Sequence, residues 1–188
     1  MLFIELFVIF IMTLIIIMFI QSHYGEVEYV KSIVDDRYYL VRKLPDMQQA
    51  ADFLADVNMD LVRLVRHMMA KHPDLNGVEQ MWRNYNPDAI SEGSIESGYT
   101  SYSVNKGEKL ILCIRQQDNS FVKKNVIMYV AIHELAHIMT TEVGHTDMFW
   151  GNFKFLLEEA IDLKLYEKEN FNNKPQEYCG IKITNSVV

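Results

Sequence analysis

The sequence predicts an α+β fold in which an apolar N-terminal helix precedes one domain of helices and short β-hairpins. Three observations support this class. The first 20 residues are almost entirely apolar, three later segments have the apolar spacing or density of helices, and two pairs of short segments are joined by turn residues. Residues 24–188 are long enough for one domain with its own core, and no repeat or long linker divides them.

The N-terminal segment predicts a transmembrane helix. Only Glu5 and Thr13 interrupt its apolar side chains, and nineteen helical residues span about 28 Å, close to the roughly 30 Å of a bilayer's hydrocarbon core. A cleaved signal peptide is the alternative, but no basic residue precedes the apolar run and no small-residue cleavage site follows it. We therefore expect a single-pass anchor at residues 1–21. Lys31 and Arg37 on its C-terminal side mildly favour a cytosolic domain.

The next 75 or so residues predict a hairpin, a helix and a loop region. Residues 27–34 and 38–41 have the composition of paired strands. Pro45 is placed to begin a helix that runs to Lys71, and Pro73 closes it. Residues 73–98 are predicted to be rich in loops because they contain several turn signals.

A second hairpin and two helices are predicted for the rest of the chain. Residues 99–104 and 109–114 pair across an Asn-Lys-Gly turn. The helix that begins near Asn125 and ends within 140–144 is apolar nearly all round, so we expect it to be buried. Thr146 or Asp147 then caps a helix that continues to Tyr166. The polar tail ends in residues 181–188, which fit either a final strand or a disordered end.

The buried helix carries the pattern His133-Glu134-Leu135-Ala136-His137. Side chains four residues apart on a helix are neighbours, so both imidazoles can bind one zinc ion, with Glu134 directed at its water. The alternative is a core helix whose histidines are merely hydrogen-bonded. That helix would bury two imidazoles and a carboxylate within five residues, at a cost of several kcal/mol unless they are paired. We therefore predict a zinc site.

The third ligand has two candidate positions. His145 follows Gly144, which can end the helix and let the chain fold back toward the motif. The rival is Glu159, or its neighbour Glu158, on the following helix. Glu159 and Asp162 are also candidates to hydrogen-bond a ligand histidine from outside the coordination sphere.

Three segments resemble the WLM family of zinc metallopeptidases, which are relatives of the SprT-like proteases. Members carry an Asn-x-x-Gly hairpin before a strand ending in arginine, then HELAH, then a histidine followed by an acidic and an aromatic residue. Here these features lie at 102–115, 133–137 and 144–150, and the likeness covers residues 98–161. The interval between the second and third histidines is two residues longer than the family usually has.

The resemblance implies a zincin-like minimal metalloprotease domain over residues 24–188, with an active-site helix and a small sheet. It implies that zinc is bound by His133, His137 and His145 and that Glu134 is the general base. The chain also resembles short, membrane-anchored HELAH proteins of large DNA viruses. We therefore expect a membrane-anchored zinc metalloprotease that hydrolyses peptide bonds.

The same resemblance suggests how a protein or peptide substrate is held. The second strand of the later hairpin, residues 109–114, would lie beside the site and pair with the main chain of an extended substrate. Tyr99 or Tyr102 on that hairpin is a candidate to stabilise the oxyanion.

Charge argues against a nucleic-acid partner. The chain has 18 Lys and Arg against 25 Asp and Glu, a net charge of −7, and it has no dense basic stripe. The DNA role of relatives in crosslink repair is therefore not expected here. The two cysteines, Cys113 and Cys179, fit reduced thiols in the cytosol, although one disulfide is arithmetically possible.

A second class of function remains open from the sequence. Zinc could serve only to stabilise a membrane-anchored structural or adaptor protein. The intact Glu134 argues against this reading, because a purely structural site needs no such glutamate and normally has a fourth protein ligand.

Overall fold

The computed structural model describes residues 2–23, 26–93 and 100–188, which form helices and short strands as an α+β fold. The helices are α1 (Leu2–His23), α2 (Met47–Lys71), α3 (Val78–Asn84), α4 (Lys124–Met139) and α5 (Asp147–Asp162). The strands are β1 (Val27–Lys31), β2 (Tyr38–Arg42), β3 (Ile90–Glu92), β4 (Ser101–Val104), β5 (Lys109–Leu112), β6 (Gln176–Tyr178) and β7 (Ile181–Ile183).

Five strands form one mixed sheet in the order β1-β2-β3-β5-β4. Both predicted hairpins are present, since β1 pairs with β2 and β4 pairs with β5 in antiparallel fashion. The short strand β3 joins them by parallel pairing with β2 and β5. Strand β4 therefore lies at one edge of the sheet. A separate antiparallel hairpin of β6 and β7 follows near the C-terminus.

The core forms where α2 and α4 pack on each other and on the sheet. Helix α2 buries an apolar face that includes Leu61, Leu64 and Met68. Helix α4 is buried on most of its surface because it also contacts α3, α5 and β4. Its nearly uniform apolar composition is thus explained by its central position, as predicted.

Arg115 ties three separated segments together just after β5. Its guanidinium is 1% exposed and hydrogen-bonds the carboxylates of Glu92 and Asp46 at 2.7–2.8 Å. It also lies 4.3 Å from the ring centre of Phe121. Glu92 accepts a further hydrogen bond from the main-chain N–H of Arg42. The buried arginine therefore joins β2, β3 and the start of α2.

The region predicted to be loop-rich contains two regular elements that sequence periodicity did not indicate. Helix α3 has seven residues and β3 has three, which is too short for a repeating apolar pattern to appear. Tyr99, one of the two oxyanion candidates, lies outside the described residues.

The N-terminal prediction is corrected by the structure. Residues 2–23 are helical as expected, but among the described residues no helix is long and apolar enough to cross a membrane. The transmembrane anchor predicted for residues 1–21 is therefore not supported.

The prediction of reduced thiols is wrong. Cys113, just after β5, forms a disulfide with Cys179 in the turn between β6 and β7, with 6.3 Å between their Cα atoms. Sixty-six residues separate the two cysteines in the chain, so sequence spacing alone gave no sign that they meet. The bond attaches the C-terminal hairpin to the sheet.

We expect replacement of Arg115 by alanine to lower the free energy of unfolding by about 3–5 kcal/mol, because the buried carboxylate of Glu92 loses its cation. Urea unfolding followed by circular dichroism measures the change. Arg83→Ala is the matched control, since Arg83 forms an exposed pair with Glu79 one helical turn away, and its loss should cost within about 0.5 kcal/mol. Equal stabilities for the two variants would contradict the assigned role of Arg115.

Candidate metal centre

Helix α4 presents one stripe of side chains to a cavity. Val130, His133, Glu134 and His137 all line it, because residues three and four apart share a helix face. The helix ends at Met139, where the hydroxyl of the following Thr140 donates to the main-chain carbonyl of Ala136 at 2.7 Å. The helix thus ends one residue before the predicted range of 140–144.

The loop after α4 turns back and brings His145 to the two motif histidines. Gly144 has a φ of 90°, a left-handed conformation that glycine adopts without steric cost and that redirects the chain. Thr146 then caps α5, its side chain accepting a hydrogen bond from the N–H of Phe149. The loop is therefore fixed at both ends by helix termini.

The Nε2 atoms of the three histidines converge. The Nε2 of His145 lies 3.1 Å from that of His133 and 3.2 Å from that of His137. Tetrahedral coordination with bonds of about 2.0–2.1 Å requires donor atoms about 3.3 Å apart. The trio thus has the geometry of three imidazole ligands around one small cation. We name His133, His137 and His145 the histidine trio.

The protonation states also suit a cation. Burial and the neighbouring imidazoles His137 and His145 lower the pKa of His133 to about 3. Burial, then His145 and Lys106, lower the pKa of His137 to about 4. Both rings are therefore neutral at pH 7 and have a lone pair available for a metal ion.

An aromatic side chain of α5 packs against the rings of the histidine trio. The ring of Phe149, which is fully buried in the first turn of α5, stacks on His137 with centroids 4.3 Å apart. It also contacts His133 at 4.8 Å and His145 at 4.7 Å. Phe149 lies within the family-like segment 144–150, and the structure shows that it touches all three rings.

Glu134 lies beside the histidine trio, 6% exposed. Its carboxylate accepts hydrogen bonds from the main chain and the hydroxyl of Ser103 on β4. Burial raises the pKa of Glu134 to about 7, although the bonds from Ser103 oppose that rise. A carboxyl group with such a pKa exchanges a proton readily near neutral pH.

The histidine trio and Glu134 open into a cavity of about 610 Å³. Its walls come from β4, α4, the loop before α5 and the C-terminal hairpin; they include Ser101, Tyr102, Ser103, Lys106, Val143 and Tyr178. The sequence predicts substrate pairing for residues 109–114, but this prediction is wrong because β5 lies between β3 and β4 in the sheet. The edge strand beside the site is β4, because β3 occupies the other side of β5.

Lys106 holds the loop that carries His145. Its ammonium group donates to the main-chain carbonyls of Thr140 at 2.6 Å, Glu142 at 2.8 Å and His137 at 3.3 Å. Lys106 belongs to the turn of the β4–β5 hairpin, whose Gly107 approaches the carbonyl oxygen of Asn84 so closely that a Cβ would lie 2.6 Å from it. The family-like Asn-Lys-Gly turn therefore packs against the end of α4.

Glu159, the rival third ligand, lies away from the histidine trio. Its buried carboxylate binds Lys71 at 2.9 Å, His67 at 2.7 Å and His72 at 2.8 Å, and so joins α5 to the end of α2. Burial alone would raise the pKa of Glu159, but the bonds from Lys71, His67 and His72 lower it to about 2. The proposed contact of Glu159 with a ligand histidine is likewise not formed.

Of the oxyanion candidates, Tyr102 lines the cavity. Tyr178 was missed, although its hydroxyl lies 2.5 Å from that of Ser101 within the same cavity. The polar sequence around Tyr178 carries no motif that would have identified it.

We expect Lys106→Met to weaken zinc binding about 10-fold or more, because the carbonyls that position the His145 loop lose their common donor. Competition with a chromogenic chelator measures the affinity. Lys109→Met, an exposed change in the same hairpin, should leave the affinity unchanged. Unaltered affinity in Lys106→Met would show that the loop is held by other contacts.

We expect Glu159→Gln to lower the free energy of unfolding at pH 7 by about 1–3 kcal/mol, measured by urea unfolding with EDTA present. A depressed pKa stabilises the fold above the ordinary value of 4.5, and this stabilisation is lost as pH falls toward about 2. The difference in free energy of unfolding between Glu159→Gln and the unaltered protein should therefore be smaller at pH 3 than at pH 7.

The matched control is Glu158→Gln, at an exposed neighbouring position. Both variants should bind as much zinc as the unaltered protein. Loss of zinc from Glu159→Gln would restore Glu159 as a ligand candidate.

Comparisons with known proteins confirm the family. The WLM domain family matches residues 33–187. An uncharacterized protein of Acanthamoeba polyphaga mimivirus is 33% identical over 164 residues, which cover 85% of this chain and 83% of the viral protein. An uncharacterized protein of Invertebrate iridescent virus 6 is 33% identical over 118 residues, 60% of this chain and 61% of that protein.

The fold is also found among solved structures. A Wss1 mutant from Saccharomyces cerevisiae superposes with a TM-score of 0.50 at 16% identity, covering 66% of this chain and 89% of that one. This likeness supports the α+β architecture described above. The chain belongs to the WLM domain family and carries a metalloprotease-type domain.

Proposed function

We propose that this chain is a zinc-dependent peptidase in which His133, His137 and His145 bind the metal and Glu134 is the general base. The observation that carries the proposal is the convergence of three Nε2 atoms beside a buried carboxylate. The Nε2 of His145 lies 3.1 Å from that of His133 and 3.2 Å from that of His137. Three imidazole ligands leave a coordination position open to the cavity, which is typical of catalytic rather than structural zinc.

In this proposal each residue of the site has a distinct role in peptide hydrolysis. Bound zinc supplies Lewis acidity and lowers the pKa of water to about 7. Glu134 accepts a proton from the attacking water and returns it to the leaving amine, which suits its raised pKa. Ser103 fixes the orientation of the Glu134 carboxylate through its main chain and hydroxyl. Phe149 packs against the histidine rings, which keeps them in place and excludes water from the ring face that it covers.

The expected substrate is a protein or peptide. An extended chain could pair with the edge strand β4, whose residues Ser101, Tyr102 and Ser103 line the cavity next to Glu134. The net charge of −7 favours a protein or peptide over nucleic acid as the partner.

The competing function is a zinc-stabilised structural or adaptor protein without catalytic activity. Such a role gives no reason to bury Glu134 at 6% exposure beside the histidine trio, because burying a carboxyl group is unfavourable even when Ser103 hydrogen-bonds it. It also gives no reason for an open cavity at the metal position.

The test is cleavage of casein and of quenched fluorescent peptides by the full chain, with zinc per chain measured in parallel. Glu134→Gln should retain about one zinc per chain and lose at least about 10²-fold in kcat/KM. His145→Ala should lose both zinc and activity. Glu158→Gln, an exposed change on α5, should alter neither.

Two results would contradict the proposal. Stoichiometric zinc without any Glu134-dependent cleavage favours the structural role. Full zinc content in His145→Ala removes His145 from the ligand set.

A further inference from the structure

The C-terminal hairpin forms one wall of the cavity. Tyr178 at the end of β6 and Ile181 and Ile183 on β7 line it together with the histidine trio. About 70 residues of the chain separate β4 from this hairpin. The hairpin is nevertheless attached to the sheet by several bonds.

Several bonds fasten the hairpin to the strand side of the cavity. Cys179 in its turn is joined to Cys113 by the disulfide, and its N–H donates to the side chain of Gln116 at 3.0 Å. The amide of Gln116 in turn donates to the main-chain carbonyl of Glu177 at 2.8 Å. The hydroxyl of Tyr178 meets that of Ser101 on β4. The hairpin is therefore fixed beside the edge strand.

The chain after the hairpin is fastened to the helix side. The hydroxyl of Tyr129 on α4 donates to the main-chain carbonyl of Asn185 at 3.0 Å. Ser186 bonds the main chain at Glu169 and Phe171. The C-terminal segment thus spans from β4 to the first half of α4 and closes that end of the cavity.

The wall formed there is apolar. Val130 is half-buried on α4 and lies one helical turn before His133, so both face the cavity. Ile181, which is 50% exposed, and the partly buried Ile183 line the same cavity from β7. Among the described residues that line the cavity, the fixed cation Lys106 lies at the other end, beside the loop after α4. Val130 therefore lies about two helical turns before His137, whose main-chain carbonyl Lys106 binds.

We propose that Val130, Ile181 and Ile183 form a subsite that selects an apolar side chain of the substrate near the cleaved bond, and that the disulfide holds this subsite in place. The inference rests on the proposed peptidase function and adds its substrate class. An exposed isoleucine beside a reactive site gains by burial against an apolar side chain, and a charged substrate side chain would lose its hydration there.

The experiment compares full-length variants on peptides that differ at one position beside the cleaved bond, carrying leucine, phenylalanine, lysine or aspartate. The unaltered protein should cleave the leucine and phenylalanine peptides with kcat/KM at least about 10-fold above the aspartate peptide. Ile181→Asp should remove this preference and raise the relative rate on the lysine peptide. Ile181→Leu should keep it.

The control is Ile33→Asp, at another exposed isoleucine, which lies in the β1–β2 turn at the far edge of the sheet. It should leave the ratio of rates unchanged. The ratio is the informative quantity, because a variant that merely folds poorly loses activity on all peptides alike.

The disulfide is tested with the double variant Cys113→Ser and Cys179→Ser. It should keep its zinc and its dependence on Glu134, while the preference for apolar peptides falls several-fold because the hairpin wall is no longer fixed.

The failures of the two proposals are distinguishable. Absence of zinc-dependent cleavage in the unaltered protein overturns the peptidase function. Cleavage without preference for apolar peptides, or with a preference that Ile181→Asp leaves intact, overturns the subsite alone. An unchanged ratio in the double serine variant removes the disulfide from the proposal.

Discussion

The convergence of the three histidine side chains depends on one constraint, the fixed position of the loop between α4 and α5. Helix geometry alone places His133 and His137 one turn apart, but His145 reaches them only because its loop is tied down. Lys106 holds the carbonyls at its start, and the Thr146 cap holds its end. Phe149 follows directly and contacts all three rings. The geometry of the site is therefore a property of three segments packed together.

The β4–β5 and β6–β7 hairpins contribute different side chains to the cavity around the histidine trio. The β4–β5 hairpin supplies Ser103, which orients Glu134, and Lys106, which secures the loop. The β6–β7 hairpin supplies the apolar side chains at the opposite end of the cavity. The first is part of the segment that resembles the family most closely, whereas the second lies beyond residue 161. Both hairpins lie within residues 33–187, which the WLM domain family matches, so the histidine trio and the apolar wall belong to one family domain.

Local signals in the sequence were sufficient for the long helices, the two hairpins of the main sheet and the two motif histidines, whereas the third ligand stayed open between His145 and a glutamate. Helical spacing predicted α2, α4 and α5, and the turn residues around Gly107 predicted β4 and β5. Contacts between distant segments were not accessible in this way. Nothing in spacing shows that Cys113 meets Cys179, or that Glu159 binds His67, Lys71 and His72 instead of a metal. The same holds for Tyr178, whose place in the cavity follows from the disulfide and from its contact with Ser101. A disulfide is typical of oxidising compartments, so the cysteines no longer favour a cytosolic domain.

The central claim is that the histidine trio binds zinc and leaves a position for water. X-ray absorption at the zinc edge, on the purified full-length protein, tests it most directly. The account predicts about one zinc per chain with three imidazole nitrogens and one oxygen at about 2.0–2.1 Å. A sulfur shell at about 2.3 Å, or a fourth imidazole in place of the oxygen, would contradict it.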